Sequence, residues 1–322
     1  MVQKASSHIP RIRKRFFCMR WEIVFLSVIL SVLVITACSD KNSPPPLLPP
    51  GLNDYTAFRD QELVTINGYN GDAMEPFISR DGATLFFNDT LNNKDLYYAT
   101  FDTGTTVQFP VPISAINSPA VDGVPTMDVN KVFYYVSAKN YDPANSKYDT
   151  LYSGTWNGGT VTGSTPLNGL TLDPPLLFFD IEVSPDGNTL YLSVGAFPPG
   201  GTFPSAADIH IAVGAGGGFT LHPNSAGIMA NVNTADKLEY APAISSNGRE
   251  LFFTRLYLGT GEARIYRSVR SDIGSAFGMP QLVSAITGFV EGPALSPDEK
   301  ALYYHRQNPL TNRFEIYRVT RP

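Results

Sequence analysis

The chain has 322 residues, with 24 Lys plus Arg, 29 Asp plus Glu and two cysteines. At about 150 residues per domain this length allows two domains, unless internal repeats override the count. An apolar content of 43% with a mean hydropathy of -0.07 excludes a disordered chain and a multi-span membrane protein. Gly (27) and Pro (26), interleaved with aromatic pairs, favour many short strands and turns over helices.

The first segment reads as an address. Lys4, Arg11, Arg13, Lys14, Arg15 and Arg20 make residues 1–22 basic, and an uncharged run of 15 residues follows from Ile23 to Ala37. That run is short for a spanning helix and normal for the apolar part of a secretory signal. It ends Ile35-Thr36-Ala37-Cys38. Small residues before a cysteine resemble the lipobox of bacterial lipoproteins, whose signal is cut before a cysteine that becomes acylated. The resemblance implies a signal peptide over 1–37, lipidation of Cys38 and a membrane anchor. The plainer alternative is an ordinary signal, or a short anchor, with an incidental Cys. Cys18 would leave with the signal, so no disulfide is expected. Ser39 in place of Asp resembles the outer-membrane sorting pattern. The expected location is therefore the bacterial cell envelope, at the outer membrane, facing the periplasm or the cell surface. Residues 38–54 include Ser43-Pro44-Pro45-Pro46-Leu47-Leu48-Pro49-Pro50 and read as a semi-rigid spacer.

Without residues 1–37 the chain holds 18 basic against 28 acidic residues, net −10, which argues against nucleic acid as a partner. The charge is uneven: residues 38–237 are net −12 and residues 238–322 net +2. Such asymmetry can orient a basic partner, or it is drift on a solvated surface.

From residue 55 to 322 one pattern recurs. Ser79-Arg80-Asp81-Gly82, Ser184-Pro185-Asp186-Gly187, Ser245-Ser246-Asn247-Gly248 and Ser296-Pro297-Asp298-Glu299 are tight-turn sequences. Each leads into a short apolar run: Leu85-Phe86-Phe87, Leu190-Tyr191-Leu192, Leu251-Phe252-Phe253 and Leu302-Tyr303-Tyr304. A weaker fifth copy is Met127-Asp128-Val129-Asn130 before Phe133-Tyr134-Tyr135. A further strand follows each copy, at Leu96-Tyr97, Leu151-Tyr152, Ile209-His210, Ile265-Tyr266 and Ile316-Tyr317. The anchors Leu85, Phe133, Leu190, Leu251 and Leu302 are spaced by 48, 57, 61 and 51 residues. Periods of about 40–50 residues with four short strands mean propeller blades. Adjacent aromatic residues point to opposite faces of a strand, as suits blades buried on both sides.

The last repeat stops after its third strand, whereas Ile113–Asn117 and Val283–Thr287 read as fourth strands elsewhere. The orphan segment Leu63–Asn67 is the expected substitute. The expectation is an all-β, five-bladed β-propeller in which an N-terminal strand completes the last blade.

These turns and strands resemble the WD40-like propeller repeat of the TolB type, whose motif is Pro-x-x-Ser-Pro-Asp-Gly followed by a strand and an Ile-Tyr strand. The resemblance covers roughly residues 60–320 and implies a partner-binding role rather than a reaction. This chain departs from the type member in having five repeats and no preceding α/β domain.

An acid stands just before each innermost strand: Asp72 and Glu75, Asp122, Asp180 with Glu182, Glu239, and Glu291. Five blades could gather these carboxylates into a ring at one channel mouth. Such a ring could serve a glycosidase, which uses two carboxylates about 5–10 Å apart, or hold a calcium ion. The blander reading, preferred here, is a structural hydrogen-bond network between blades. Ser79-Arg80-Asp81-Gly82 lacks the spacing and the Trp of the sialidase Asp-box. His210, His222 and His305 are isolated, so no zinc site or other cofactor is expected, and His210 reads as a packed core residue. No Gly-x-Ser-x-Gly elbow occurs, and Gly214–Gly218 reads as a loop between strands. Trp156, Phe197 and Phe203 lie in the longer repeats and could stack on a sugar or anchor a protein, or else pack within a long hairpin. The preferred function is a non-enzymatic protein- or glycan-binding scaffold, with a channel-mouth glycosidase as the alternative.

Overall fold

The computed structural model describes residues 54–90, 94–142, 145, 147–198 and 203–322. The expected signal, Cys38 and the spacer up to residue 53 lie outside them, as do residues 199–202 of the Phe197–Pro204 insertion. Two strands open the described chain, β1 (Arg59–Leu63) and β2 (Thr65–Ile66). The first repeat contributes β3 (Met74–Ile78), β4 (Thr84–Asn88), β5 (Leu96–Thr103), β6 (Thr106–Val107) and β7 (Val111–Pro112). The second contributes β8 (Asp122–Met127), β9 (Val132–Ser137), β10 (Leu151–Trp156) and β11 (Val161–Pro166). The third has β12 (Leu176–Val183), β13 (Thr189–Ala196), β14 (Ala206–Ala215) and β15 (Gly218–Leu221), then a single helical turn, α1 (Ser225–Ile228). The fourth has β16 (Lys237–Ile244), β17 (Glu250–Tyr257), β18 (Glu262–Val269) and β19 (Gln281–Leu282). The last has β20 (Val290–Leu295), β21 (Ala301–Gln307) and β22 (Phe314–Thr320). Each repeat is an antiparallel meander, and the third and fourth share one sheet through a single parallel pair, Ala207 with Leu238. The fold is all-β and of the β-propeller type.

The turn sequences act by one bonding scheme. Ser79, Ser184 and Ser296 donate their hydroxyls to Oδ1 of Asp81, Asp186 and Asp298 at 2.5, 2.5 and 2.6 Å. The same hydroxyls accept the N–H of Thr84, Thr189 and Ala301, five residues on, at 2.9–3.0 Å. Ser245 and Asn247 repeat the scheme. In the second repeat Asp128 does both jobs, accepting from Asn130 and Val132 at 2.9 and 2.8 Å, which accounts for the missing Ser. The position after the turn acid is left-handed (φ 74° at Gly82, 76° at Gly187), so Gly is the residue it favours.

Adjacent aromatics divide between neighbouring clusters. Phe86 packs with Phe133 and Trp156 of the second repeat, while Phe87 packs with Tyr69 and faces the cluster shared with Tyr303 of the last repeat. Phe252 and Phe253 divide in the same way. The core is thus a set of layers between repeats.

The fourth-strand expectations shift upstream. In the first and fourth repeats the paired residues are Val111–Pro112 and Gln281–Leu282; Ile113–Asn117 and Val283–Thr287 turn towards the next repeat, with Ile113, Ile116, Val283 and Ile286 buried. The orphan segment shifts likewise. β1 pairs antiparallel with β22, Leu63 opposite Tyr317 and Arg59 opposite Thr320, whereas Thr65 and Ile66 pair with β6 of the first repeat. The equivalence still holds bond for bond. Val64 donates to Ile316 O as Ile113 does to Leu96 O and Val283 to Ile265 O, at 2.8, 2.8 and 3.0 Å.

Candidate functional site

The five innermost strands (β3, β8, β12, β16 and β20) surround one narrow channel. Each carries a register shift, at Met74/Phe77, Gly123/Thr126, Phe178/Asp180, Tyr240/Ala243 and Glu291/Ala294. In four of them the shifted residue is left-handed and precedes a proline: Glu75 (φ 50°), Val124 (55°), Ala241 (49°) and Gly292 (62°). Such bulges re-aim side chains and free a backbone N–H from the ladder.

The preceding repeat catches that N–H with a side chain of its second strand. Glu75 donates to His305 Nδ1 at 3.0 Å, Val124 to Asn88 Oδ1 at 3.1 Å and Gly292 to Thr254 Oγ1 at 3.1 Å. Ala241 donates to Ser193 Oγ at 3.2 Å and to Asp180 Oδ2 at 3.1 Å. At the remaining junction the catching position holds Val136, and the facing strand has Asp180-Ile181 in place of a left-handed residue and proline.

These bulges decide which of the expected acids meet. Counted back from the turn Ser or its Asp128 equivalent, Glu75 and Asp180 share one position, Asp122 and Glu239 another, and Asp72, Glu182 and Glu291 each occupy one of their own. The expected ring therefore resolves into separate groups. Glu75, Asp180 and Glu291 lie together in the channel with Tyr240 and His305. Glu182 lies at its turn end, where Thr126 Oγ1 donates to it at 2.5 Å and Arg80 sits 3.3 Å away. Arg80 also donates to the carbonyls of Met127 and Val183, so it staples three repeats. Glu239 is bound by Arg255 at 2.6 Å and by Thr234. Asp122 accepts the Ser118 N–H, and Asp72 accepts the Phe314 N–H at 2.8 Å and the Thr90 hydroxyl.

Every central carboxylate is engaged. Lys94, only 2% exposed, places Nζ 3.2 Å from Glu75 Oε1. Tyr240 donates its hydroxyl to Glu291, whose other oxygen faces His305 Nε2 at 3.3 Å. His305 Nδ1 accepts from Glu75, so the proton of the neutral ring sits on Nε2, toward Glu291. Burial, then the charge of Glu75, holds the Asp180 carboxyl well above the usual range. Burial and Glu291 likewise raise Tyr240. Burial raises Glu182 and Glu239 as well, against the pull of Arg80 and Arg255. The space left beside Glu75, Asp180 and Glu182 is about 30 Å³, and that enclosed with Tyr240, Glu291 and His305 about 10 Å³. That is room for about one water, whereas ligand sites span roughly 300–1,000 Å³. Among the described residues no three His, Cys, Asp or Glu side chains are grouped to hold a metal ion.

Of the aromatic residues singled out from sequence, Trp156 is buried against Phe86 and Tyr98, and Phe197 against Phe179. Trp156 thus packs in the layer between the first and second repeats and Phe197 against its own repeat, so both rings are buried; Phe203 is exposed. His210 is half-buried rather than a core residue. Sequence reasoning set His305 aside as an isolated histidine and passed over Lys94, Tyr240 and the bonding role of Arg80. The signal for His305 was its place one residue after an aromatic pair, where Asn88 and Thr254 also stand. The signal for Arg80 was its replacement of the repeat's Pro or Ser.

No family model matches this sequence, and no curated protein matches it. Solved structures do resemble it. A family 117 glycoside hydrolase from the marine bacterium Zobellia galactanivorans aligns at a TM-score of 0.53 and 13% identity, over 82% of this chain and 90% of that one. The catalytic domain of a Coprinopsis cinerea α-L-arabinofuranosidase aligns at 0.51 and 10%, over 85% and 98%. A Dyadobacter fermentans protein of unknown function aligns at 0.50 and 11%, over 85% and 100%. At such identities the likeness is one of fold, and that fold is the β-propeller.

Proposed function

We propose that this chain is a lipid-anchored scaffold of the bacterial cell envelope, held at the outer membrane through Cys38 and a Pro-rich spacer. Its five-bladed propeller of TolB-type repeats, closed by β1 on the last blade, binds a protein or glycan without chemically changing it. One observation carries the absence of turnover: the central carboxylates are already bonded to Lys94, Tyr240, His305 and the Ala241 N–H, around about 30 Å³ of space. A glycosidase needs two carboxylates with a sugar and a water between them. The hydrolase reading, with Glu75 and Asp180 as the pair, lacks that room.

The test uses the full chain in a bacterium that processes lipoproteins. Wild type is expected in the membrane fraction and Cys38→Ser in the soluble fraction. Purified wild type is expected to release no reducing ends from plant or algal polysaccharides. Release that Glu75→Gln abolishes would overturn the scaffold reading, and a Cys38→Ser protein that stays in the membrane would overturn the anchor.

A further inference from the structure

A cleft of about 680 Å³ opens between the last repeat and the first, on the face that carries the Ser-x-Asp turns. Its volume lies within the range of small-molecule sites, about 300–1,000 Å³, unlike the channel. The half-buried Phe101 lines it, backed by the buried Tyr303 ring with centroids 5.8 Å apart, and the Tyr303 hydroxyl crosses the junction to the Gly104 carbonyl at 2.9 Å. The Arg318 guanidinium lies directly against Gly104, where an added Cβ would come within 1.9 Å of it.

The polar lining is held in place before any ligand arrives. Asp81 and Asp298 each use Oδ1 to hold their own turn, which leaves Oδ2 as an acceptor. The Ser79 and Ser296 hydroxyls keep both carboxyls below the ordinary range, so they stay ionised. Arg318 is fixed by Glu62, Nε at 2.9 Å and a terminal nitrogen at 2.8 Å. Lys300, Arg318 and Arg321 stand against Asp81 and Asp298 in the lining, and Glu62 and Glu250 pair with the two arginines, so charges of both signs nearly offset and neither an anion nor a cation is strongly favoured. Fixed donors and acceptors beside the half-buried Phe101 ring suit a ring that has hydroxyls on its edge and C–H bonds on its face.

We infer that this cleft is a binding site for a neutral, hydroxyl-rich saccharide. The inference rests on the scaffold reading and names its ligand class. Phe109, Ile273, Met279 and Leu310, exposed apolar residues outside the cleft, have no role in it.

The experiment is calorimetric titration of the full chain with cellohexaose, maltohexaose and arabinohexaose, and with trigalacturonate as an anionic comparison. At least one neutral probe is expected to bind more tightly than trigalacturonate. Thr103→Trp, at an exposed strand end in the cleft lining, is expected to weaken that probe at least tenfold with an unchanged melting temperature. Asp298→Asn keeps an oxygen for the turn, exchanges the free acceptor for a donor, and is expected to weaken the probe as well. Glu75→Gln in the channel is expected to leave the affinity unchanged. No binding by any neutral probe, tighter binding of trigalacturonate, or binding that survives both cleft variants would overturn the inference and leave the scaffold reading standing. Cleavage of a probe would overturn the scaffold reading itself.

Discussion

Asp180 is buried in the channel with the Glu75 carboxylate as its neighbour and the Ala241 N–H as its donor. Its folded pKa is raised, so the folded chain holds this proton more tightly than the unfolded chain does. The stability it contributes is complete below the unfolded value, near pH 4, and falls as pH rises through the folded value. Asp180→Asn removes that slope. It keeps an acceptor for Ala241 and adds a donor beside Glu75. We expect Asp180→Asn to melt higher than wild type at pH 8, by about 2–4 °C for each kcal/mol recovered, and to melt with it near pH 4. Thermal melts at the two pH values decide the matter. A gain that persists at pH 4 would show that the effect is packing rather than charge.

The element that organises the channel is the bulge, and its four left-handed copies differ in what they tolerate. Ala241 sits at φ 49°, a region that costs an L-residue about 1 kcal/mol or more. Gly292 sits at the equivalent place, and a Cβ there would come within 2.9 Å of His305 Nδ1. Opposite substitutions should therefore have opposite signs. Ala241→Gly is expected to hold or raise the denaturation midpoint, since little side chain is lost. Gly292→Ala is expected to lower the unfolding free energy by about 2 kcal/mol or more, and the midpoint with it, through strain and a displaced His305. Equal losses in urea titrations would mean that backbone strain does not govern the bulge.

At the scale of the molecule, Phe58, just before β1, enters the layer between the fourth and last repeats, where it meets Phe252 at 5.8 Å. Arg321, next to last in the sequence, donates to both Glu250 oxygens at 2.7 and 2.8 Å and to the Tyr55 hydroxyl at 2.8 Å. The segment at Tyr55, the end of the last repeat and the fourth repeat are thus bonded to one another. Excision of Tyr55–Leu63 exposes the β22 edge and empties part of that layer. We expect the single cooperative thermal transition to be lost, as followed by calorimetry. A shortened chain that melts as sharply and as high as the parent would remove ring closure as a source of stability.

The turns and the strand pattern were legible in the sequence because their causes are local. A Ser two residues before an Asp builds the turn from its own hydroxyl, and Phe86-Phe87 face opposite layers because successive side chains alternate. That acids would gather at the channel was expected from the repeats, but which of them meet was not legible. A bulge inserts one residue and reverses which side chains face the axis, so acids close to the same turn were separated while Glu75, Asp180 and Glu291 were brought together. Lys94, His305 and Arg80 entered that neighbourhood from other strands and turns, by proximity in space alone. That β1 pairs with β22 was readable from the equivalence of this segment with Ile113 and Val283. Its offset from Leu63–Asn67 to Arg59–Leu63 was set by where β22 ends and the first repeat begins, a distance only the folded chain contains.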